Sequence, residues 1–216
     1  MTVTPEILRA NKEIRGMLWS FDFVVVDNQE YGPVWFDTAP LEPFKIMAQR
    51  STGCVYALTG AQHHILLATS EGQAGVMAAS LQECLELVIA HPYWQDLLRF
   101  GKRDLSAMRR VLRDRIEEFE DEALVDNPEI AQFRPLLRAQ LGLAEPGDPA
   151  KLLHHAVMVL GAGVIVRGSD GYLSEPLAPV EKAMKIAACK PSFPRRCNNP
   201  AFLAFLSRRD DLHAFA

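Results

Sequence analysis

The histidine pairs are the first residues whose types could bind a metal ion. His63 precedes His64, His154 precedes His155, and no other histidines are adjacent. Neighbouring side chains point to opposite faces of a strand and diverge by roughly 100° on a helix, so neither pair chelates one ion easily. The pattern therefore predicts no metal site, and we expect no cofactor.

The cysteines are the candidate nucleophiles, and they stand at positions Cys54, Cys84, Cys189 and Cys197. They lack the paired Cys-x-x-Cys spacing of a zinc site, so they indicate reduced thiols and a cytoplasmic protein. Cys54 lies on a predicted strand, and Cys84 lies on the apolar stripe of a predicted helix. An apolar setting raises the pKa of a thiol and makes it inert, so core packing is favoured over catalysis.

The sequence motifs of common enzymes are missing. The chain has no Gly-x-Ser-x-Gly elbow, no Walker-type phosphate loop and no His-Glu-x-x-His helix. Gly161-Ala162-Gly163 lacks the third glycine and the preceding strand of a dinucleotide-binding turn. An enzyme stays open as an alternative, with a small-molecule site between the sheet and the C-terminal helices that uses Asp27, Asp37 or a histidine as acid or base.

A dense acidic stretch lies in the second half of a long predicted helix, whose apolar residues recur at helical period from Leu105 to Phe119. Its members are Glu117, Glu118, Glu120, Asp121 and Glu122. Carboxylates near a helix C-terminus oppose the helix dipole, so they form either a solvated face or a site for a cationic partner. With Trp35 and Trp94, which are either core residues or exposed anchors, they are the candidate partner-binding residues.

The clearest local pattern lies in residues 50–101. The segments 53–60 and 64–69 alternate as strands and are joined by a short loop that suits a hairpin. Ser80 and Glu83 have the spacing of a capping box, in which the serine hydroxyl accepts a backbone hydrogen bond and the glutamate reaches back. The apolar residues that follow at helical period are Leu81, Cys84, Leu85, Val88 and Ile89.

This succession of elements resembles the middle and end of a SUKH-superfamily domain. The resemblance is carried by Ser51-Thr52-Gly53-Cys54-Val55-Tyr56-Ala57-Leu58, Glu71-Gly72-Gln73-Ala74-Gly75, Ser80-Leu81-Gln82-Glu83-Cys84-Leu85 and the helical Trp94. It covers roughly a quarter of the 216 residues. The family is named in part for yeast cell-wall-assembly regulators, and many bacterial members are similar to immunity proteins that bind and silence polymorphic toxins, often nucleases. The resemblance therefore implies a toxin-binding protein.

The composition bounds the class of protein. The chain is 49% hydrophobic and 23% charged, which is enough apolar material for a sizeable core, and its net charge is −4. Because the chain has no overall basic field, nucleic-acid binding is disfavoured. It contains no basic and apolar targeting segment and no apolar run of the ~18 residues that a membrane span needs, so we expect no membrane association.

The order of the predicted elements indicates an α+β fold. A helix that begins at Thr4-Pro5-Glu6 precedes strands at 21–27 and 31–37, which suit a hairpin. Counting onward to Ala78 gives a mainly antiparallel sheet of five to six strands flanked by helices. We predict a sheet-and-helix domain over 1–101.

The second half of the chain is predicted to be mostly helical, as an extension over 102–216 that packs with the first domain or apart from it. Helix starts occur at Asn127-Pro128-Glu129 and at Asp148-Pro149. Pro135 predicts a new turn within the first of these segments. Further helices are expected at 178–188 and from Asn199-Pro200 through Phe205.

Two functions of different classes follow. The first is a non-catalytic binding protein, here an immunity protein that neutralises a cognate bacterial toxin by direct binding, with the acidic stretch facing a basic surface of the toxin. The second is the small-molecule enzyme described above. The absence of a recognised catalytic spacing favours the binding protein. The sequence leaves the oligomeric state undetermined.

Overall fold

The structure is a computed structural model, and it describes residues 3–26, 36–39, 44–60, 63–101, 104–162, 164–168 and 171–177. All of these residues fall within one compact unit, Met1–Glu181. The helices predicted at 178–188 and from Asn199 through Phe205 lie outside the described residues.

The α+β class expected from the sequence is confirmed, because the described residues form one six-stranded sheet, one two-stranded sheet and seven α-helices. The strands are β1 (Val24–Val25), β2 (Phe36–Ala39), β3 (Phe44–Gln49), β4 (Val55–Thr59), β5 (His64–Ala68), β6 (Gln73–Ala78), β7 (Ile165–Gly168) and β8 (Glu175–Pro176). The helices are α1 (Pro5–Ala10), α2 (Lys12–Trp19), α3 (Leu81–Ala90), α4 (Trp94–Gly101), α5 (Leu105–Asp126), α6 (Ile130–Leu141) and α7 (Pro149–His155), and a π-helical segment follows at Ala156–Leu160.

The larger sheet has the order β1-β3-β4-β5-β6-β8 and is antiparallel except for its last pair, in which β6 and β8 run parallel. Alternate residues of its central strands enter two separate apolar clusters. Tyr56 and Leu67 pack with the helices, whereas Ala57 and Leu66 pack with Val166 of β7 on the other side. The sheet is therefore buried on both faces. Successive side chains of a strand point to opposite faces, and here both sets are apolar.

The main core joins the sheet to helices from both halves of the described chain. Leu85 of α3, Met108 of α5, Leu137 of α6 and Leu153 of α7 are all fully buried in the same apolar cluster. Residues on either side of position 101 thus share one core.

Helix α3 begins at the Ser80 cap that the sequence predicts, but the reciprocal bond of Glu83 goes to a different residue. The Ser80 hydroxyl accepts a hydrogen bond from the backbone N–H of Glu83 at 3.1 Å. The Glu83 carboxylate reaches back to the N–H of Ala79, also at 3.1 Å, which is one residue before the serine. Two backbone donors that the helix itself cannot satisfy are therefore paired.

The hairpin predicted between the segments 21–27 and 31–37 falls largely on residues 27–35, which lie outside the described residues. The first of these strands is reduced to β1, and β1 pairs with β3, whereas β2 pairs with β7 in the separate two-stranded sheet. Alternation of apolar residues identifies a strand but says nothing about its partner, and both of these pairings join residues far apart in sequence.

Two predicted helix boundaries are wrong. The first predicted helix is two helices, because the Asn11 side chain accepts from the N–H groups of Glu13 and Ile14 and starts α2 anew. Pro135 lies inside α6 and does not begin a new turn. Its missing N–H leaves the carbonyl of Ala131 without the usual helical partner, a local loss that the buried Leu137 and Leu141 outweigh by packing into the core.

Asp22 follows α2 in the left-handed region, with φ of 55°. Its carboxylate accepts from Arg50 Nε at 2.7 Å and from the N–H of Ser51 at 2.6 Å. Aspartate tolerates this backbone conformation better than most residues because its short side chain hydrogen-bonds locally. The carboxylate therefore ties the end of α2 to the turn after β3.

Across the described residues, no helix combines the length and the apolar character that crossing a membrane requires.

Candidate partner-binding surface

Helix α5 carries all five candidate carboxylates. It begins at an Asp104 cap, whose carboxylate accepts from the N–H groups of Ser106 at 2.7 Å and Ala107 at 3.0 Å. The helix has 22 residues, and only Met108 and Phe119 are buried. Most of its circumference therefore faces solvent.

A glycine at the end of α4 lets α5 pack closely on that helix. A Cβ atom added at Gly101 would overlap the side chain of Met108 and approach its backbone. Because no larger residue fits there without a shift, Gly101 fixes the corner from which α5 projects.

Ion pairs hold the flank of α5 to the two helices that follow it. Arg109 donates from Nε and Nη2 to Asp148, at 2.9 and 2.6 Å, and Asp148 is the N-cap of α7. Arg134 of α6 donates to both oxygens of Glu120, at 2.9 and 3.3 Å, and its Nε donates to the carbonyl of Ile89 at 3.0 Å. Glu120 is therefore part of the packing of α5 against α6.

A chain of hydrogen bonds extends from Glu120 to the end of α3. Tyr93 hydrogen-bonds to Glu120, and its hydroxyl lies 2.8 Å from Nδ1 of His91. Burial, with the neighbouring Glu120 carboxylate, raises the pKa of Tyr93. Burial lowers the pKa of His91 against the opposing effect of the Glu120 carboxylate, which favours the neutral imidazole.

Glu118 forms an ion pair with Arg115 of the same helix. Arg115 donates to its two oxygens, both at 2.8 Å, and this hydrogen bond lowers the pKa of Glu118. The Arg115 guanidinium also lies 4.6 Å from the ring centroid of Phe100 and 4.5 Å from that of Phe119. The result is an arginine stacked on two aromatic rings, of which Phe100 is 41% exposed.

Glu117, Asp121 and Glu122 remain, and all three are exposed. Within the described part of the chain, none of the three forms a hydrogen bond or an ion pair within 4 Å. Glu117 and Asp121 are one helical turn apart on the same face, and Val125, which is 81% exposed, continues that row. We call Glu117, Asp121, Glu122 and Val125 the acidic row.

Trp94 does not join this surface as a partner-binding anchor would. Trp94 is 1% exposed and lies in the main core, so it is not accessible to a partner in this structure. Its spacing with Leu97, Leu98 and Gly101 forms the buried stripe of α4. Trp35 lies outside the described residues.

Only some of the residues named for chemistry are described by the structure. Cys54 and Cys84 are buried free thiols, and burial raises the pKa of Cys84 above the usual range. Asp27 and the side chain of Asp37 lie outside the described residues. Among the residues that the structure describes, no three histidine, cysteine, aspartate or glutamate side chains are grouped as a metal site would require.

Three residues of this surface, Arg115, Phe100 and Val125, are not among those predicted from the sequence. Arg115 is three residues before Glu118, and this spacing alone was enough to indicate their pairing. Val125 follows Glu117 and Asp121 in steps of four, so an apolar residue on a polar face was visible in the sequence. Phe100 had no such signal, because its ring contacts depend on how α4 packs against α5.

Comparison with protein-family models, with curated proteins and with solved structures returns no match for this chain. The resemblance to the SUKH superfamily therefore rests on the quoted residues of 50–101 and stays a prediction.

Proposed function

We propose that this protein is a non-catalytic binding protein and that its partner presents a basic surface to the acidic row. The observation that carries the proposal is the exposure of three carboxylates that form no hydrogen bond or ion pair within 4 Å among the described residues, on the helix face that Val125 continues at 81% exposure. An exposed apolar residue bordered by charges of one sign is the arrangement of an anchor with a polar rim.

The acidic row also costs the helix stability. Like charges one turn apart, as in Glu117 and Asp121, destabilise a helix by about 0.2–0.5 kcal/mol. The last turn of α5 has no basic residue and contains Asp126, so nothing there offsets the negative end of the dipole. A cationic partner would offset both terms, which supports a binding role for these charges over a purely solvating one.

We extend the proposal to an immunity protein whose partner is a cognate bacterial toxin. Support comes from the SUKH-like stretch in residues 50–101 and from the sign of the charge, because toxins that act on nucleic acids carry basic clefts. In this proposal the acidic row occupies such a cleft and excludes the toxin's substrate.

Binding kinetics against the product of the adjacent gene test the proposal. We expect the Glu117→Arg/Asp121→Arg variant to slow association at least about tenfold at low salt, because rim charges steer encounter. Val125→Ser should mainly speed dissociation. The matched control, Glu71→Arg/Glu175→Arg, reverses two exposed carboxylates elsewhere and should leave the kinetics near wild type.

Equal slowing by both pairs of reversals would mean that overall charge, and not the acidic row, governs binding. A failure of every neighbour-encoded protein to bind would contradict the immunity role.

One observation favours the enzyme alternative. The neutral His91, hydrogen-bonded to Tyr93 and connected through Glu120 to Arg134, is a half-buried polar network between α3, α5 and α6. A histidine held neutral near pH 7 is suited to accept a proton. Turnover of a small molecule that His91→Gln or Asp37→Asn abolishes, together with no protein binding, would replace the binding proposal.

A further inference from the structure

The outward face of α5 has opposite charges in its two halves. Residues three or four apart along the helix share this face, and all of those in question are exposed. They are Ser106, Arg110, Arg113, Glu117 and Asp121, and we call them the outer stripe. The charged members of the stripe are basic in the first half of the helix and acidic in the second.

This distribution is complementary to itself when the helix is reversed. Arg113 and Glu117 lie equally far from residue 115, and Arg110 and Asp121 lie almost equally far from it on either side. A two-fold axis that is perpendicular to α5 and passes beside it, level with this residue, would place each arginine opposite a carboxylate of a second copy. The helix dipoles of the two copies would then also run antiparallel, which is the favourable arrangement.

We propose that two copies of this chain associate through their outer stripes, with the two α5 helices antiparallel. The contacts are Arg113 to Glu117 and Arg110 to Asp121 of the other copy, and each occurs twice because a two-fold interface uses the same surface from both subunits. This inference goes beyond the proposed function and does not depend on it.

The existing contacts of α5 leave the outer stripe available. Arg109 and Glu120 point to the flank where α6 and α7 pack, and Arg115 is stacked on aromatic rings. Arg113 is 72% exposed and donates from Nε to its neighbour Asp114 at 2.9 Å, which leaves its terminal nitrogens for a carboxylate of the second copy. The proposed contacts require none of the hydrogen bonds and ion pairs named for α5 to break.

The interface is weak and sensitive to salt. Each exposed ion pair contributes a factor of only about 1.5 to 5 in affinity, and association must overcome the loss of rotational and translational freedom. The pair therefore belongs to the transient class of interface, populated at high protein concentration and low ionic strength. The Debye length falls from about 30 Å at 0.01 M salt to about 3 Å at 1 M, so salt should abolish it.

Sedimentation of the full chain over a range of concentrations tests the proposal. The wild type should show a reversible dimer in about 0.01 M salt and a monomer in about 1 M salt. Arg110→Glu/Arg113→Glu makes the stripe wholly acidic, and Glu117→Arg/Asp121→Arg makes it wholly basic. Each variant alone should raise the dissociation constant at least about tenfold, because it replaces attraction by repulsion.

The decisive measurement is an equimolar mixture of the two variants. Neither variant should dimerise alone, but the mixture should form a dimer of one acidic and one basic copy, which a misfolded variant could not do. A third variant that carries all four substitutions restores the wild-type net charge and should dimerise with itself.

The control Lys12→Glu/Arg167→Glu makes the same change in net charge as Arg110→Glu/Arg113→Glu, at exposed sites elsewhere, and should dimerise as the wild type does. A wild type that stays monomeric in low salt would overturn the proposal. A dimer that survives both stripe variants, or a mixture that stays monomeric, would overturn it equally.

Discussion

Helix α3 has seven of its 10 residues buried, whereas α5 has two buried residues among 22. Both helices begin in the same way, with a polar side chain that accepts a hydrogen bond from a backbone N–H of the first turn. Their difference lies after the cap. α3 has apolar residues on nearly every side, whereas α5 has charges on every side but one.

The comparison shows that a cap and a helical period determine that a helix forms, while the width of its apolar stripe determines its role. A buried helix contributes through the apolar area that it removes from water, about 25 cal/mol per Å². A helix attached along a narrow stripe contributes less to the core and leaves its outer face available for contacts with other molecules.

The largest effect should come from a cavity in α3. Leu85 is fully buried, so we expect Leu85→Ala to lower the free energy of unfolding by about 2–5 kcal/mol. Leu112→Ala, at a half-buried position of α5, is the matched variant and should cost clearly less because part of that side chain already contacts water. Urea denaturation measures both, and equal losses would refute the contrast between the two helices.

The loss of the α3 cap should have a smaller effect. Ser80→Ala removes the acceptor of the Glu83 N–H and should lower the free energy of unfolding by ~1 kcal/mol. Ser106→Ala, an exposed serine in the first turn of α5, is the control and should leave stability near wild type. An unchanged denaturation midpoint for Ser80→Ala would show that the cap contributes nothing.

The caps should also differ in their response to pH. Backbone hydrogen bonds from Ala107 and Ser106 lower the pKa of Asp104 in the folded chain. The stabilisation is therefore present above the unfolded pKa of about 3.9 and is lost as pH falls through the lower, folded value. The Ser80 hydroxyl does not titrate in this range.

Amide hydrogen exchange measures the difference. Protection of the Ala107 amide, corrected for the intrinsic rate, should fall relative to that of Glu83 between about pH 5 and about pH 2. Asp104→Asn should remove this relative change. A constant ratio in the wild type would contradict an ionised cap on α5.

The smallest effect should come from the acidic row. Glu117→Gln should change the free energy of unfolding by no more than about 0.5 kcal/mol, because the repulsion from Asp121 that it relieves is offset by the attraction to Arg113 that it removes. Glu120→Gln is the contrasting variant, since it weakens the half-buried pair with Arg134 and should destabilise. Thermal or chemical unfolding distinguishes them, and a Glu117→Gln loss as large as that of Glu120→Gln would assign the Glu117 carboxylate to the fold.

Local features of the fold were predictable from sequence. The Ser80 cap and the helical period of α5 depend on residues within one or two turns of each other, and the structure shows both. The pairing of β1 with β3 and of β2 with β7 depends on contacts between distant residues, which a periodic pattern does not encode. Pro135 misled because its local cost is real but smaller than the gain from packing α6.

In the candidate site, too, local features were predictable and contacts between distant residues were not. The position of Glu117 and Asp121 on the outer face followed from helical period alone. The ion pair between Glu120 and Arg134 could not be predicted, because it requires the packing of α6 beside α5. Trp94 was assignable to the core from its spacing with Leu97 and Leu98, and its size suggested an anchor that the structure does not offer.

Asp22 has a consequence for the mutational tolerance of the chain. Its backbone conformation favours glycine, asparagine or aspartate, whereas its bond to Arg50 favours a carboxylate. Asparagine meets the first demand and glutamate the second, but only aspartate meets both. This half-buried turn position therefore tolerates fewer residue types than its modest burial would indicate. We expect little sequence variation there, even though no core packing depends on the Asp22 side chain.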